Sequence, residues 1–360
     1  MKRMLLVCLA VALFCVLPAR AEDNPLWCGP EEVDVSSVLE ENGRLVGEIG
    51  IPQGEKDPYV LRIDCPLPKT FTEKQQAKLH VTYRDIGTKD LQNAMKALGQ
   101  TADADQMQGY KDGWANRWLR YSAKKTEEGD SFFQPYLMPG WQNPDAAPAM
   151  EKLTALAGQL DISLDLGTMV AARNRAEDCL AYCSASQNSS GWYQEIYQSY
   201  GKMQGDVFLL NARYRLYGMP VQPQFSWKAG NDGYAASSHM ECAVGADGTL
   251  LEAEISGVPV VENTEPIALP KRSWQEIVKL CVSQGYWPNS TARDIQVEND
   301  PLYGSYTVYA AYDTITAIEP CWIGREKQRL EPGWSLRGVS RVMKDNSVCG
   351  WFEWEIPAIP

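Results

Sequence analysis

The stretch that decides the fold is YTVYAAYDTITAIEPCWIGREK, residues 306–327. Its apolar and polar residues alternate, which is typical of a β-strand with one buried face. The run then passes Ile318, Pro320 and Trp322 before the chain becomes polar. We interpret this stretch as part of a packed sheet rather than the wall of an active site, with Pro320 ending strand pairing at an edge or a bulge.

A helix is predicted just before this sheet, in RSWQEIVKLCVSQGYW. Ser273 stands three residues before Glu276, the spacing of a capping box at a helix start. The apolar residues that follow recur at helical intervals. Five strand-like segments come next: RDIQVEN, SYTVYAAYD, AIEPCWIGR, SLRGVSRVMKD and VCGWFEWEIP. Residues 264–360 are therefore predicted to form one helix packed on an antiparallel meander.

Residues 166–263 are predicted to follow the same plan. The segment TMVAARNRAEDCLAYC places small side chains such as Ala172 and Ala176 on one helical stripe. The alternating strand LLNARYRLYGMPV comes after it. Asp247 and Gly248 then separate two alternating runs, which is a strong hairpin signal. The two units share a pattern but little residue identity, so we expect a repeat of pattern and not of sequence.

The preceding region, residues 22–165, also mixes strands and helices. GRLVGEIGIP, DPYVLRIDCPLP and AKLHVTYRDI are predicted strands. TKDLQNAMKALGQ is a predicted helix that Gly99 terminates, and the proline-rich residues 133–148 are a predicted loop. The whole chain is thus predicted to be an α+β protein, built from antiparallel sheets with helices packed on one face.

Residues 1–21 have the features of a signal peptide. Lys2 and Arg3 precede an apolar run that is too short to span a membrane, and Ala19-Arg20-Ala21 provides small residues at a cleavage site. Cys15 follows a phenylalanine, where a lipoprotein site requires a small residue. We therefore predict cleavage after Ala21, a secreted or extracytoplasmic product, and no membrane span in it.

The chain of 360 residues has a formal net charge of −12. Nucleic acids and anionic lipids bind basic surfaces, so this balance argues against both as partners. Eight cysteines follow the signal peptide, and an exported protein can form disulfides. We consider two pairings of neighbouring segments, Cys28 with Cys65 and Cys321 with Cys349.

No catalytic, cofactor-binding or metal-binding residue is predicted. The two histidines, His80 and His239, lie in separate strand patterns, and a zinc site needs more clustered ligands than Cys179 and Cys183 provide. Alternation places His239 and Cys242 on opposite faces of one strand. Glu353 and Glu355 beside tryptophans allow a glycosidase pair, but they share the solvent face of a predicted strand.

Several segments resemble a known group of proteins. The spaced alanines Ala172 and Ala176, YGMPV at 217–221 and IEPCW at 318–322 resemble PepSY-like and YycH/YycI-like extracytoplasmic proteins of Gram-positive bacteria, among them uncharacterised exported proteins of gut Clostridia. The resemblance covers about residues 167–360. It implies two PepSY-like units and a non-enzymatic role, in which the protein contacts an envelope or extracellular partner protein or restrains an enzyme.

We therefore expect a binding or regulatory protein that acts outside the membrane through protein contacts. The alternative is a secreted protein that binds or cleaves carbohydrate, which the 12 tryptophans and the acidic composition suggest. Core packing explains the same tryptophans, so the carbohydrate hypothesis stays second.

Overall fold

A computed structural model describes twelve segments of the chain. They are residues 28–53, 56–111, 117–122, 146–174, 207–222, 239–245, 247–285, 295–300, 304–308, 310–326, 328–346 and 348–359. Contacts divide these segments into two units. The first contains the described residues within 28–80 and 263–359, and the second contains those within 81–222 and 239–262. This division differs from the predicted boundary at 165, and the change of unit after residue 262 lies next to the predicted boundary at 263.

The described residues form three α-helices and seventeen strands. The helices are α1 (Thr88–Ala97), α2 (Ala147–Gln159) and α3 (Trp274–Gly285). The strands are β1 (Leu39–Glu41), β2 (Arg44–Gln53), β3 (Lys56–Pro66), β4 (Ala77–Arg84), β5 (Met107–Lys111), β6 (Arg117–Ser122), β7 (Leu164–Asn174), β8 (Val207–Leu216), β9 (Met219–Pro220), β10 (His239–Gly245), β11 (Leu250–Ser256), β12 (Val258–Pro266), β13 (Ile295–Asp300), β14 (Gly304–Val308), β15 (Ala311–Glu326), β16 (Arg329–Val342) and β17 (Val348–Pro357).

The strands form two large sheets and one small one. The first sheet has the order β1-β2-β3-β15-β16-β4-β12, with β17 also paired to β16. The second has the order β5-β6-β11-β10-β8-β7, with β9 paired to β8, and β13 pairs with β14 alone. Most neighbouring strands pair antiparallel, among them β15 with β16 and β10 with β11, whereas β3 and β15 run parallel at Thr314 and Ile315. The predicted α+β class with antiparallel sheets is confirmed.

Helix α3 forms as the sequence predicts. The Ser273 backbone N–H donates to Glu276 Oε2 at 2.6 Å, and the Glu276 N–H donates to Ser273 Oγ at 3.3 Å, so the capping box is closed. Ile277 and Val278 on its buried stripe are 2% and 0% exposed. This stripe packs against β16, β17 and the 3-10 turn Pro30–Glu32, and it closes the core of the first unit.

The opening stretch lies in β14 and β15. Cys321 and Trp322 have no exposed surface, so this segment is a packed sheet, as predicted. The prediction for Pro320 was wrong, because Pro320 stands opposite Trp334 and pairing with β16 continues to Glu326. In the described residues, β15 pairs with β3 only at Thr314 and Ile315. Pro320 has no N–H to donate, and its position lies beyond this pairing, so no hydrogen bond between β15 and β3 is lost there.

The helix predicted around Met169 is wrong for the residues that the structure describes there. Residues up to Asn174 belong to β7, which pairs antiparallel with β8 from Val170 opposite Asn211 to Asn174 opposite Val207. Small residues such as Ala172 are compatible with a helical stripe and with an alternating strand. Pairing with β8 stabilises the strand. Residues 175–183 of the predicted helix lie outside the described segments, as do residues 133–145 of the predicted loop.

The second unit packs two helices with its sheet. Helix α1 ends as predicted at Gly99, which has a φ of +75° and lets the Gln100 N–H donate to Met95 O at 3.0 Å. Helix α2 contacts α1, β8 and β10. The Asp247-Gly248 hairpin joins β10 to β11 as predicted, with the Gly248 N–H bonded to Gly245 O at 2.9 Å.

Candidate functional sites

The outer face of the first sheet carries an exposed apolar group. On β2 and β3, Ile49 and Ile63 belong to the buried face of the sheet. The residues that alternate with the buried ones along each strand point to the opposite face. That side exposes Val46 and Val60, at 40% and 45%, while Leu39 on the edge strand β1 stands opposite Val46 and is 58% exposed. We call Leu39, Val46 and Val60, together with the depression beside them, the outer face.

A shallow, open depression of about 460 Å³ lies on the outer face. Its lining residues come from β2, β3, β15, β16 and the turn after β16: Val46, Gly47, Glu48, Arg62, Ile63, Asp64, Tyr312, Thr314, Arg341 and Asn346. Among these described lining residues there is no histidine, cysteine or serine. The depression presents carboxylate, guanidinium, amide and aromatic groups that can contact a ligand.

The polar groups of the depression are held in place by one another. The Arg62 guanidinium lies 3.9 Å from the centre of the Tyr312 ring, a cation–π contact. The Tyr312 hydroxyl donates to Asn346 Oδ1, and Arg341 Nη1 donates to Asn346 O at 3.0 Å. Asp64 accepts from Arg44 Nη2 at 2.6 Å. An aromatic ring and a guanidinium are thus presented in a fixed arrangement beside exposed valines.

A second cluster of polar residues lies within the sheet of the second unit. The register places His239 of β10 opposite Arg213 of β8 and Ser256 of β11. Two residues further along, Glu241 stands opposite Asn211 and Glu254. We call these six residues the buried polar cluster. His239 Nε2 lies 3.4 Å from Glu241 Oε1 and 4.0 Å from Glu254 Oε1.

Burial sets the protonation of this cluster. It raises the pKa of Glu241 to about 7, against the opposing effect of the Asn211 amide, which donates to Glu241 Oε1. Burial also lowers the pKa of His239; Glu254 opposes this shift and Arg213 adds to it. Burial thus favours the uncharged form of both the His239 imidazole and the Glu241 carboxyl group.

The cluster has the groups for proton transfer but little surface for a substrate. The His239 side chain is 7% exposed, and a general base must lie within hydrogen-bond reach of the atom it deprotonates. The Tyr214 hydroxyl oxygen lies 2.7 Å from His239 O and 2.8 Å from Ser256 O, so its one proton can bond to either carbonyl and links the backbones of the two strands. We interpret the cluster as a polar network that fixes strand register.

The sequence-predicted candidates fall in different places. His80 on β4 is exposed in the first unit, 4.0 Å from Glu265 Oε2, whereas His239 belongs to the second unit. Cys242 is fully buried on the face of β10 opposite His239, as predicted. Among the described residues, no group of three or more His, Cys, Asp or Glu side chains could hold a metal ion.

The acids of the last strand point away from the core, as predicted. Glu353 is half-buried and accepts from Ser335 Oγ at 2.5 Å, and Glu355 is exposed. Phe352 and Trp354 lie on the other face, in and against the core. The aromatic rings next to these acids are therefore used for packing.

Three of the four cysteines considered for disulfides are buried. Cys28, Cys65 and Cys321 are 6%, 0% and 0% exposed, and Cys28 and Cys65 are free thiols in the structure. The side chain of Cys349 lies outside the described part of the chain. The pairing of Cys321 with Cys349 stays a prediction.

Sequence reasoning missed both sites. The outer face includes residues of β3 and β15, whose paired residues are about 250 positions apart in the sequence. No local sequence pattern predicts a contact over that separation. For the buried polar cluster a signal was present, since the predicted hairpin ECAVGADGTLLEAEIS carries Glu241 on one arm and Glu252 and Glu254 on the other. The pattern does not show whether those glutamates are buried.

Comparison with known proteins gives little further guidance. No protein-family model matches the chain, and no curated protein matches it. One similar solved structure is that of an uncharacterized protein from Eubacterium rectale, with 11% sequence identity, 86% of this chain and 89% of that chain covered, and a TM-score of 0.39. In the part of the chain that the structure describes, no helix is both long and apolar enough to cross a membrane.

Proposed function

We propose that this protein is an exported, non-enzymatic binding module of the PepSY-like type that contacts a partner protein outside the membrane. The partner binds the outer face of β2, β3 and β15. The observation that carries the proposal is the exposed group Leu39, Val46 and Val60 beside the stacked Arg62 and Tyr312. The predicted signal peptide supports the location, and the packing of α3 against β16 and β17 supports the PepSY-like assignment of residues 264–360.

The composition of the outer face fits a protein interface. Tyrosine and arginine are enriched at the centres of interfaces and supply most of their binding energy. Leu39 and Val46 stand opposite each other on β1 and β2, and Val60 lies beyond Glu48 and Arg62, opposite Gly50. Covering these side chains removes them from water, which contributes about 25 cal/mol per Å² of apolar surface before the costs of association. The Arg62–Tyr312 stack holds both side chains in one conformation, so less entropy is lost on binding.

The test is photo-crosslinking of the exported protein in its native envelope, with a crosslinking residue in place of Thr314. We expect a discrete crosslinked partner that disappears in Val46→Asp and in Arg62→Ala. Val260→Asp is the matched control, because Val260 is exposed to a similar extent, 43%, on β12. A partner that persists in both outer-face variants, or that Val260→Asp also removes, would contradict the proposal.

A second candidate function is carbohydrate binding at the same depression. The specific observation is an aromatic ring, Tyr312, next to planar polar side chains such as Asp64 and Asn346, the residue types that hydrogen-bond and stack on sugars. A glycan array of the purified protein and its Tyr312→Ala variant decides between the two. Binding that Tyr312→Ala abolishes would favour carbohydrate, and no binding on the array would leave the protein partner as the proposal.

A further inference from the structure

Two arginines of the depression flank the strand that carries Tyr312. Tyr312 of β15 stands directly opposite Arg341 of β16, and Thr314, two residues further along β15, pairs with Arg62 of β3. Residues i and i+2 of a strand share a face, and all four of these residues line the depression. The depression therefore has one arginine on either side of the tyrosine.

The N–H groups of these arginines are not hydrogen-bonded to any carboxylate of the described residues. Arg62 is stacked on the Tyr312 ring at 3.9 Å, and Glu48 Oε1 lies 3.8 Å from its Nε, which is beyond hydrogen-bond range. Arg341 donates from Nη1 to Asn346 O at 3.0 Å and has no ion pair within the described part of the chain. Both guanidinium groups thus keep donors that a bound group can use.

Arg44 is in a different situation on the same sheet. Its Nε and Nη2 donate to Asp64 Oδ1 at 3.0 and 2.6 Å, so the charge of Asp64 is compensated. Among the charged residues that line the depression, this leaves Arg62 and Arg341 against Glu48. The depression therefore has a local surplus of one positive charge, on a chain whose formal net charge is −12.

We propose that the partner protein presents an acidic peptide segment to the depression, and that Arg62 and Arg341 bind its carboxylates on either side of Tyr312. The inference rests on the proposed function, which places a partner protein on the outer face, and it adds the chemistry by which that partner is recognised. Val46 lines the same depression, so a segment that fits it has apolar side chains next to its acidic ones.

The arrangement suits a peptide carboxylate in two respects. A guanidinium binds a carboxylate best through two parallel N–H···O bonds, and the stacking of Arg62 on Tyr312 restrains its guanidinium before binding, so less entropy is lost. In addition, β3 and β16 lie on either side of β15, about 10 Å apart at the backbone. That separation suits two acidic side chains of one segment better than a single small anion.

The test uses the purified protein and three fluorescent peptides of equal length, in which valine alternates with glutamate, glutamine or lysine. Fluorescence anisotropy is expected to show binding of the glutamate peptide alone. Its dissociation constant should rise steeply between about 0.01 and 1 M salt, because salt screens exposed charges. Equal binding of the glutamate and glutamine peptides, or no binding of any of the three, would overturn the proposal.

Variants assign the binding to the depression. Arg62→Gln and Arg341→Gln are each expected to weaken binding of the glutamate peptide by about tenfold. Glu48→Gln removes the competing carboxylate and is expected to strengthen binding by about two- to five-fold. Arg215→Gln is the matched control, because Arg215 is exposed in the second unit and donates to a backbone carbonyl, Gly218 O, as Arg341 does to its own partner. Unchanged binding in Arg341→Gln, weaker binding in Glu48→Gln, or an equal loss in Arg215→Gln would refute the assignment.

Crosslinking in the envelope, with the crosslinking residue in place of Thr314, separates this inference from the proposed function. Loss of the crosslinked partner in Arg341→Gln supports recognition of an acidic segment. If Val46→Asp removes the partner and Arg341→Gln does not, the protein-binding function stands and the acidic segment is overturned. If nothing is crosslinked but the glutamate peptide binds through both arginines, the acidic-peptide site stands and the proposed function fails.

Sedimentation of the purified protein tests a second copy of this chain as the occupant. We expect no dimer that depends on the depression. A dimer that Arg341→Gln dissociates would place a second copy on the outer face and overturn the acidic partner protein.

Discussion

Replacing Glu241 by glutamine tests whether burial controls the protonation of the buried polar cluster. Glutamine has the shape of a protonated glutamate, and its carbonyl oxygen can accept the bond that Asn211 Nδ2 donates to Glu241 Oε1. Because it carries no titratable proton, any pH dependence of stability that Glu241 causes is absent in Glu241→Gln. The variant therefore isolates one group while the packing around His239 is kept.

The sign and size follow from the pKa of Glu241, which burial raises from 4.5 to about 7. Below about pH 4.5 both the folded and unfolded chains keep this proton, so its contribution to stability is fully present. Between about pH 4.5 and 7 only the unfolded chain releases the proton, and the free energy of unfolding falls by up to about 3 kcal/mol. This is an upper value, because 24% of the side chain is exposed and solvent screens its charge.

The measurement is urea unfolding at several values between about pH 4.5 and 8, with hydrogen-exchange pulses read on peptides that cover β10. At the high end Glu241→Gln is expected to be more stable than wild type, and at the low end the two should nearly coincide. His239, whose pKa burial lowers, destabilises both proteins as the pH falls below about 6.5, so its effect largely cancels in the comparison.

Glu262→Gln serves as the control, because Glu262 is exposed on β12 in the same unit. It is expected to retain the wild-type pH dependence. If Glu241→Gln loses stability between about pH 4.5 and 7 as the wild type does, burial of Glu241 is not the cause and the reasoning fails.

Three further substitutions, the first with a matched control, test the packing and the cap of α3. Gly338→Ala should destabilise the first unit by about 1–3 kcal/mol in thermal or urea unfolding, because its methyl group would lie 2.1 Å from the Phe352 ring; Gly158→Ala, where a Cβ meets no atom within 4 Å, should be neutral or stabilise α2 by up to about 1 kcal/mol. Ser273→Ala should cost about 1 kcal/mol in the same assay by opening the capping box of α3, and an unchanged midpoint would contradict that role. Leu91→Ala, at a fully buried position of α1, should cost about 2–5 kcal/mol, and a loss below about 1 kcal/mol would show that the site is not packed as described.

The elements that the sequence predicts well are those whose signals are local. Helix α3 needs only Ser273, Glu276 and an apolar stripe within one segment, and all three lie within a few residues of each other. The β10-β11 hairpin depends on Asp247 and Gly248 in the same way. Neighbours along the chain supply these interactions, so the sequence specifies them without knowledge of the rest of the molecule.

The candidate sites depend on neighbours that are remote in sequence. Arg62 reaches Tyr312 because β3 and β15 lie side by side, although the segments between them contribute to another unit. Whether Glu241 faces water or the protein interior depends on what covers its side of β10, and alternation predicts only that it points away from Cys242. The sequence could therefore identify the residues but not their environment.

By itself, the sequence determined the α+β class, the antiparallel pairing of neighbouring strands and the positions of α1 and α3, because periodicity, caps and turns act over a few residues. Only the tertiary structure decided that Met169–Asn174 extend as a strand, that residues 28–80 share a core with the C-terminal meander, and which thiols and carboxyls are buried. The physical reason is that hydrogen-bonding partners in a sheet, and the solvation of a side chain, are supplied by segments far away along the chain.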